Sequence, residues 1–352
     1  MSKENWLRCG LDLLYFTGLA RAFSPIFRGM GAIIMLHHVR HAGGLRRGFA
    51  PNSELEVTPG FLHATIEHVK TQGYDLISLE EAVSRLKSGA SSRRPFIVFT
   101  IDDAYRDILI HALPIFRRHN CPFTIFAAPA ITDGSCELWW IGLEAIIAGS
   151  SRLSLTLEDQ QIDLATITDA QKRAAWEVLY RPFRRLDEYS QRNLIRSLCA
   201  ERGISLNAIC RAEAMDWNEL RTIAKDPLCT IGAHTVHHYA LAKLPPSEAI
   251  EEVVASASRI EQEVGRRPRY FAYPYGDSLS AAQRDFEIVE RAGMEAAVTT
   301  RKGLIFPAHK DHLCALPRVS LNGHYQQLRY LDVFLSGTAF AVWNGFRRFK
   351  TA

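Results

Sequence analysis

Two clusters of side chains in this sequence have the types and spacing that chemistry requires. Asp102 and Asp103 are adjacent and follow closely on the apolar run Phe96-Ile97-Val98-Phe99. Neighbouring carboxylates repel, so such a pair at the end of a buried strand is costly unless a cation or a proton is shared there. A metal would let one carboxylate ligate while the other serves as base. The plainer alternative is an Asp capping a helix that begins near Tyr105, with a solvated neighbour. The second cluster is Gly232-Ala233-His234-Thr235-Val236-His237-His238, which puts three of the chain's 13 histidines within five residues. Histidines at i and i+4 face one side of a helical turn and both reach a single ion; His234 and His237, at i and i+3, do so less well. Here the alternative is a polar loop without a ligand.

Two histidines and one carboxylate leave coordination positions open for water, which marks a catalytic rather than a closed structural site. The ligand set suits zinc, with cobalt, iron, nickel or manganese compatible by type. Such an ion polarises an amide carbonyl and acidifies bound water, while a free carboxylate takes the proton. A third segment, Ala272-Tyr273-Pro274-Tyr275-Gly276, holds Pro and Gly in a tight turn whose backbone amide can face the site. Taken alone it reads equally as a structural turn.

The elements that must position these groups follow from the hydrophobic pattern. Short apolar runs alternate with helical segments from Gly31 onward, the signature of βα units and a largely parallel sheet. Strands are expected at Ala32–Leu36, ending at His37 and His38, then at Phe96–Phe99, Phe123–Ala127, Leu228–Ile231, Tyr270–Tyr273 and Ala296–Thr299. In a parallel α/β sheet the carboxyl ends of strands collect ligands and catalytic groups, and all three segments sit at such ends. Thr58 with Pro59 starts a helix stopped by Gly73; Ser78 and Glu81 form a capping box for the next, closed by Gly89. Ser247 to Val264 carries Ile250, Val253, Ala257 and Ile260 on one face and ends at Gly265. The stretch from about 135 to 218 breaks the rhythm and reads as a helical insertion, with helices at Trp139–Ile147 and Gln171–Tyr180.

In order and spacing these segments resemble the polysaccharide deacetylase family, also called the NodB homology domain or carbohydrate esterase family 4. Thr100-Ile101-Asp102-Asp103 is similar to its T-F-D-D motif, His234-Thr235-Val236-His237-His238 to its H-[ST]-x-x-H, and Tyr273-Pro274-Tyr275 to the end of its R-x-P-Y. The resemblance implies a distorted (β/α)7-type barrel spanning 31–330, interrupted by the insertion. It also implies hydrolysis of N-acetyl groups on amino sugars of a polysaccharide, oligosaccharide or lipid-linked glycan. Carried over by position, Asp102 is the base, Asp103, His234 and His238 hold the metal, and the Tyr275 backbone N–H meets the oxyanion. His37 ends the first strand and borders the site as a proton donor or substrate contact. The sequence departs from the family where Ala272 stands for the arginine that orients the base, where Ala104 replaces glycine, and where no Leu-x-His supplies the general acid. Arg318 and His324 are the nearest replacements. Two other readings share these residues: a deformylase or deacylase of a lipid-linked aminosugar, and a family member that binds glycan without turnover.

The bulk properties narrow the partners. With 42 Lys and Arg against 38 Asp and Glu spread along 352 residues, no basic block points to nucleic acid. Seven scattered cysteines without CxxC spacing read as reduced thiols, and the N-terminus lacks a clear secretory signal, so a cytoplasmic location is expected. Residues 1–30 and 331–352 are amphipathic: Leu11, Leu13, Leu14, Phe16 and Leu19 lie near Arg8, Arg21 and Arg28, while Phe334, Phe340, Trp343 and Phe346 lie near Arg347, Arg348 and Lys350. They read as helices packed on the barrel or as interfacial segments in peripheral contact with a membrane. Trp139, Trp140 and Trp176 either line a sugar cleft or belong to a core. The oligomeric state is not legible.

Overall fold

The computed structural model describes residues 3–41, 48–89, 94–157 and 160–345. Seven parallel strands close into a barrel: β1 (Gly31–Leu36), β2 (Phe96–Asp102), β3 (Phe123–Ala127), β4 (Cys229–Ala233), β5 (Tyr270–Ala272), β6 (Ala296–Lys302) and β7 (Leu316–Ser320). They follow one another around the ring, and β1 closes it by pairing with both β2 and β7. A two-residue strand, Asp75–Leu76, extends the sheet from the start of β2. The barrel is distorted where β5 is short and where the β6–β7 register slips between Val298 and Lys302.

Every residue of β1, β2 and β3 is buried, as expected for parallel strands covered on both faces. Alternation sorts them into two clusters. Ala32, Ile34, Ile97, Phe99 and Ile101 pack with Leu62, Ile66 and Val69 of the helix Pro59–Thr71. Their neighbours Ile33, Val98, Phe126, Ala272 and Val298 form the other cluster, facing the barrel axis.

The helix punctuation holds with one correction. Thr58 accepts from the Phe61 N–H at 3.1 Å, and Gly265 ends Pro246–Val264 with φ of 78°. Ser78 accepts from the Glu81 N–H, but the Glu81 side chain does not reach back to complete a capping box; it takes Arg85 Nε at 2.9 Å instead. Two further elements were not expected. β7 contains Pro317 and Arg318, which disguise a strand, and Arg152–Leu157 pairs antiparallel with Gln160–Ala165 inside the insertion. Around this hairpin the insertion has helices at Trp139–Gly149, Asp169–Arg185, Glu188–Ala200 and Leu206–Glu213, built on their own apolar cluster.

The terminal helices Lys3–Phe16 and Leu19–Phe27 pack against Leu328–Leu335 and Thr338–Trp343, with Leu11, Ala20, Tyr330 and Val333 in one apolar cluster. Arg329 Nε reaches Asp12 at 2.7 Å. Phe346, Arg347, Arg348 and Lys350 lie outside the described residues. No described helix is long and apolar enough to cross a membrane.

Candidate active site

The three motif segments leave β2, β4 and β5 at their carboxyl ends and converge on a cavity of about 220 Å³. Its lining includes His37, Asp102, Asp103, His234, His238 and Tyr275. The turns that hold them include strained backbone. Asp103, Ala104, Thr235, His238 and Tyr275 all take φ between 53° and 69°, and among the described non-glycine residues Asn120 alone joins them in the left-handed region. That conformation costs an L-residue roughly 1–2 kcal/mol and persists where surrounding structure over-determines it. Ala104, with φ of 53°, occupies a position suited to glycine.

Asp103 Oδ1 lies 3.4 Å from His234 Nε2 and 3.2 Å from His238 Nε2. Ligands about 2.0–2.1 Å from a tetrahedral ion stand about 3.3 Å apart, so these three atoms have the spacing of one coordination face. Asp103 Oδ1 is buried and has no hydrogen-bond partner, which suits an atom reserved for a cation. His234 Nδ1 meets the Ala272 carbonyl at 2.6 Å, and a proton there leaves Nε2 free to ligate. Burial pushes His238 down to about 4 despite Asp103, keeping the imidazole neutral. His237 turns away. Its Nδ1 is 2.6 Å from Glu252 Oε1, and Glu252 Oε2 also accepts the Val236 and His237 N–H groups. The carboxylate of Glu252, on the helix Pro246–Val264, therefore decides which histidine pair faces Asp103.

Asp102 has a different partner. Arg318, on β7, donates from Nη1 and Nη2 to the two carboxylate oxygens at 2.8 and 2.6 Å, and from Nε to the Thr299 carbonyl at 2.8 Å. Both side chains are almost fully buried. Burial alone would push the Asp102 carboxyl up; the charge and hydrogen bonds of Arg318 more than offset this and hold it below the ordinary carboxylate range. Arg318 thus reaches from β7 the carboxylate that the family's arginine, at Ala272 here, would reach from β5. His37 Nε2 is 3.9 Å from Asp102 Oδ2, and burial lowers its pKa. His324 Nε2 is 3.2 Å from Glu54, which lines the cavity, but His324 itself does not line it. Tyr275 accepts from Trp139 Nε1 through its hydroxyl at 2.8 Å, while its backbone N–H finds no acceptor among the described residues.

The insertion supplies the opposite wall. Trp140, Tyr180 and Arg184 line the cavity, with Arg184 stacked 3.8 Å over the Tyr275 ring, and Asn52 and Glu54 close another side. Of the three tryptophans, Trp139 is core, Trp140 reaches the cavity and Trp176 packs on the insertion's cluster. Asn52, Glu54, Tyr180 and Arg184 were not anticipated. Tyr180 and Arg184 are i, i+4 neighbours on an amphipathic helix, and nothing local distinguishes them from surface residues.

A closed barrel of seven parallel strands, with buried acidic and histidine motifs at its carboxyl rim, defines a NodB-type deacetylase fold. The model for the family described as polysaccharide deacetylase matches residues 188–297, which include the histidine and Tyr-Pro-Tyr segments. A de-N-acetylase from Aggregatibacter actinomycetemcomitans is similar in fold, with TM-score 0.55 and 12% identity over 86% of this chain and 98% of that one. The deacetylase PplD of Streptococcus pyogenes, solved with acetate, gives 0.52 and 17% over 83% and 92%. IcaB from Ammonifex degensii gives 0.51 and 16% over 87% and 97%. At these identities the likeness is one of fold. No curated protein sequence matches the chain.

Proposed function

We propose that this protein is a metal-dependent hydrolase that removes N-acetyl groups from amino sugars of a glycan, releasing acetate and a free amine. The observation that carries the reading is the division of labour between two adjacent buried carboxylates: Asp103 faces two histidine Nε2 atoms, and Asp102 faces Arg318 and His37. Asp103, His234 and His238 would hold the ion, zinc by ligand type, which supplies Lewis acidity for the amide carbonyl and for water.

The chain's own groups do the rest. Arg318 keeps Asp102 ionised and fixes its plane, so the carboxylate accepts a proton from the attacking water. His37, resting neutral with its Nε2 3.9 Å from Asp102 Oδ2, would close to hydrogen-bond distance to take that proton and then deliver it to the departing nitrogen. Its lowered pKa makes the imidazolium a strong donor once formed. The Tyr275 N–H, in its left-handed turn, meets the oxygen on which charge develops. Trp140 and Tyr180 offer aromatic faces to the sugar. A cytoplasmic setting is part of the proposal, supported by seven unpaired cysteines, six of them buried.

The test is acetate release from N-acetylglucosamine oligomers, with N-formyl analogues in parallel and zinc or cobalt set against chelator. Chelator-sensitive acetate release is expected. Formate release alone would move the function to deformylation, and bound metal without any release would leave a glycan-binding protein.

A further inference from the structure

The terminal helices leave an unusual amount of apolar side chain in the open: Trp6, Leu13, Phe16, Val342 and Trp343 are each more than half exposed. Four of these converge. Trp6 and Leu13 of the first helix and Val342 and Trp343 at the last line a groove of about 380 Å³, floored by Leu14 and Phe340. The groove and the catalytic cavity are related through a third hollow whose lining overlaps both. This hollow of about 480 Å³ shares Lys302, Phe340 and Trp343 with the groove, and Asp277 and Thr300 with the cavity around Asp102. β6 makes the link, because Thr300 faces the site and Lys302, two residues on, holds its Nζ 4.4 Å over the Trp343 ring.

Along this path the chemistry changes in order. The catalytic end is polar and aromatic, the middle carries Arg301 and Lys302 against the single carboxylate of Asp277, and the far end is hydrocarbon-like. A free sugar oligomer would use only the first part. A molecule with a sugar head, an anionic link and a long alkyl or isoprenoid chain matches all three. Resting on the deacetylase reading, we propose that the groove between the terminal helices binds the hydrocarbon chain of a lipid-linked N-acetyl sugar whose head group reaches the Asp102–Asp103 site. Exposed Trp and Leu would otherwise stay in water, and burying each methylene of a ligand strengthens binding by up to about fourfold.

The probes are methyl, octyl and dodecyl β-glycosides of N-acetylglucosamine, kept below their micelle concentrations and titrated into the full chain by calorimetry, with acetate release measured alongside. The dodecyl glycoside should bind at least about tenfold more tightly than the methyl glycoside, since only a few methylenes need be buried. Leu13→Ser and Trp343→Ser, at exposed positions that tolerate polarity, should collapse that ratio. Ile167→Ser, an exposed apolar position away from the groove, should keep it. Equal affinity across chain lengths, or a ratio indifferent to both groove variants, overturns the proposal. So does light scattering that shows the groove variants breaking a dimer while the ratio persists, because a second copy then fills the groove. Acetate release that ignores chain length preserves the deacetylase and removes the groove. Chain-length-dependent binding without acetate release preserves the groove and removes the deacetylase.

Discussion

The barrel rim and the helical insertion face each other across one cavity, yet they are built on opposite principles. The rim holds charge where water is absent. Asp102, Asp103, His234, His238 and Arg318 are all buried, and the two turns that present the aspartates and the histidines run through left-handed backbone. The insertion brings wide side chains, Trp140, Tyr180 and Arg184, from helices with an apolar cluster of their own. Groups that must be placed to a fraction of an ångström are thus fixed by strand ends and paired charges, whereas groups that shape a pocket ride on helices docked against the rim. Damage to the rim should remove chemistry and stability together; damage to the insertion should change which substrate is accepted.

Arg318→Met breaks the comparison most severely. It leaves Asp102 buried without its counter-charge, so stability in urea should fall by about 3–5 kcal/mol and turnover should collapse. Arg318→Lys, which restores charge without the two-pronged geometry, should recover more stability than activity. Equal, mild losses in both variants would show that Asp102 does not depend on this partner. On the insertion side, Arg184→Ala should raise KM by about tenfold while kcat and metal content stay near wild type. A collapse of kcat with KM unchanged would place Arg184 with the chemistry instead.

A third prediction concerns Asp107, which ties the segments after β2 and β1 together through His38 Nδ1 at 2.6 Å and Arg40 Nε at 2.7 Å. Burial pushes this carboxyl up, but His38 and Arg40 overcome it and hold the folded-state pKa below the ordinary value. The stability it contributes is therefore present above an unfolded pKa of about 3.9 and is lost as pH falls through the lower folded value. The stability gap between wild type and Asp107→Asn should be on the order of 1–3 kcal/mol at pH 7 and close below about pH 4. A gap independent of pH would mean that packing, not charge, is lost. The smallest effect is expected of Ala104→Gly. Relief of left-handed strain, set against the greater freedom of glycine in the unfolded chain, should leave the protein from equally stable to about 1 kcal/mol more stable.

The parts of this arrangement that are local in the chain were readable from it. Phe96 to Phe99 is a strand on composition alone, Thr58-Pro59 and Gly265 mark helix ends, and the acidic and histidine segments fall at strand ends because βα units put them there. What could not be read depends on distant residues. Whether His237 or His238 turns inward is decided by Glu252, well along the following helix. The partner of Asp102 lies on a strand that Pro317 and Arg318 obscure, and only barrel closure brings β7 near β2. Arg318 stood out in the sequence as a replacement for the missing arginine, but its bidentate geometry became visible only with the fold. The insertion's wall was hidden because a cavity-lining face and a solvent face share the same helical period.

The central claim, that Asp103 serves the metal while Asp102 serves the proton, is tested most directly by acetate release from Asp102→Asn protein loaded with zinc. Zinc content should match wild type, and release should fall by roughly 10²–10⁴-fold, the usual worth of a positioned base. Release at the wild-type rate with zinc in place would remove Asp102 from the base role and contradict the account.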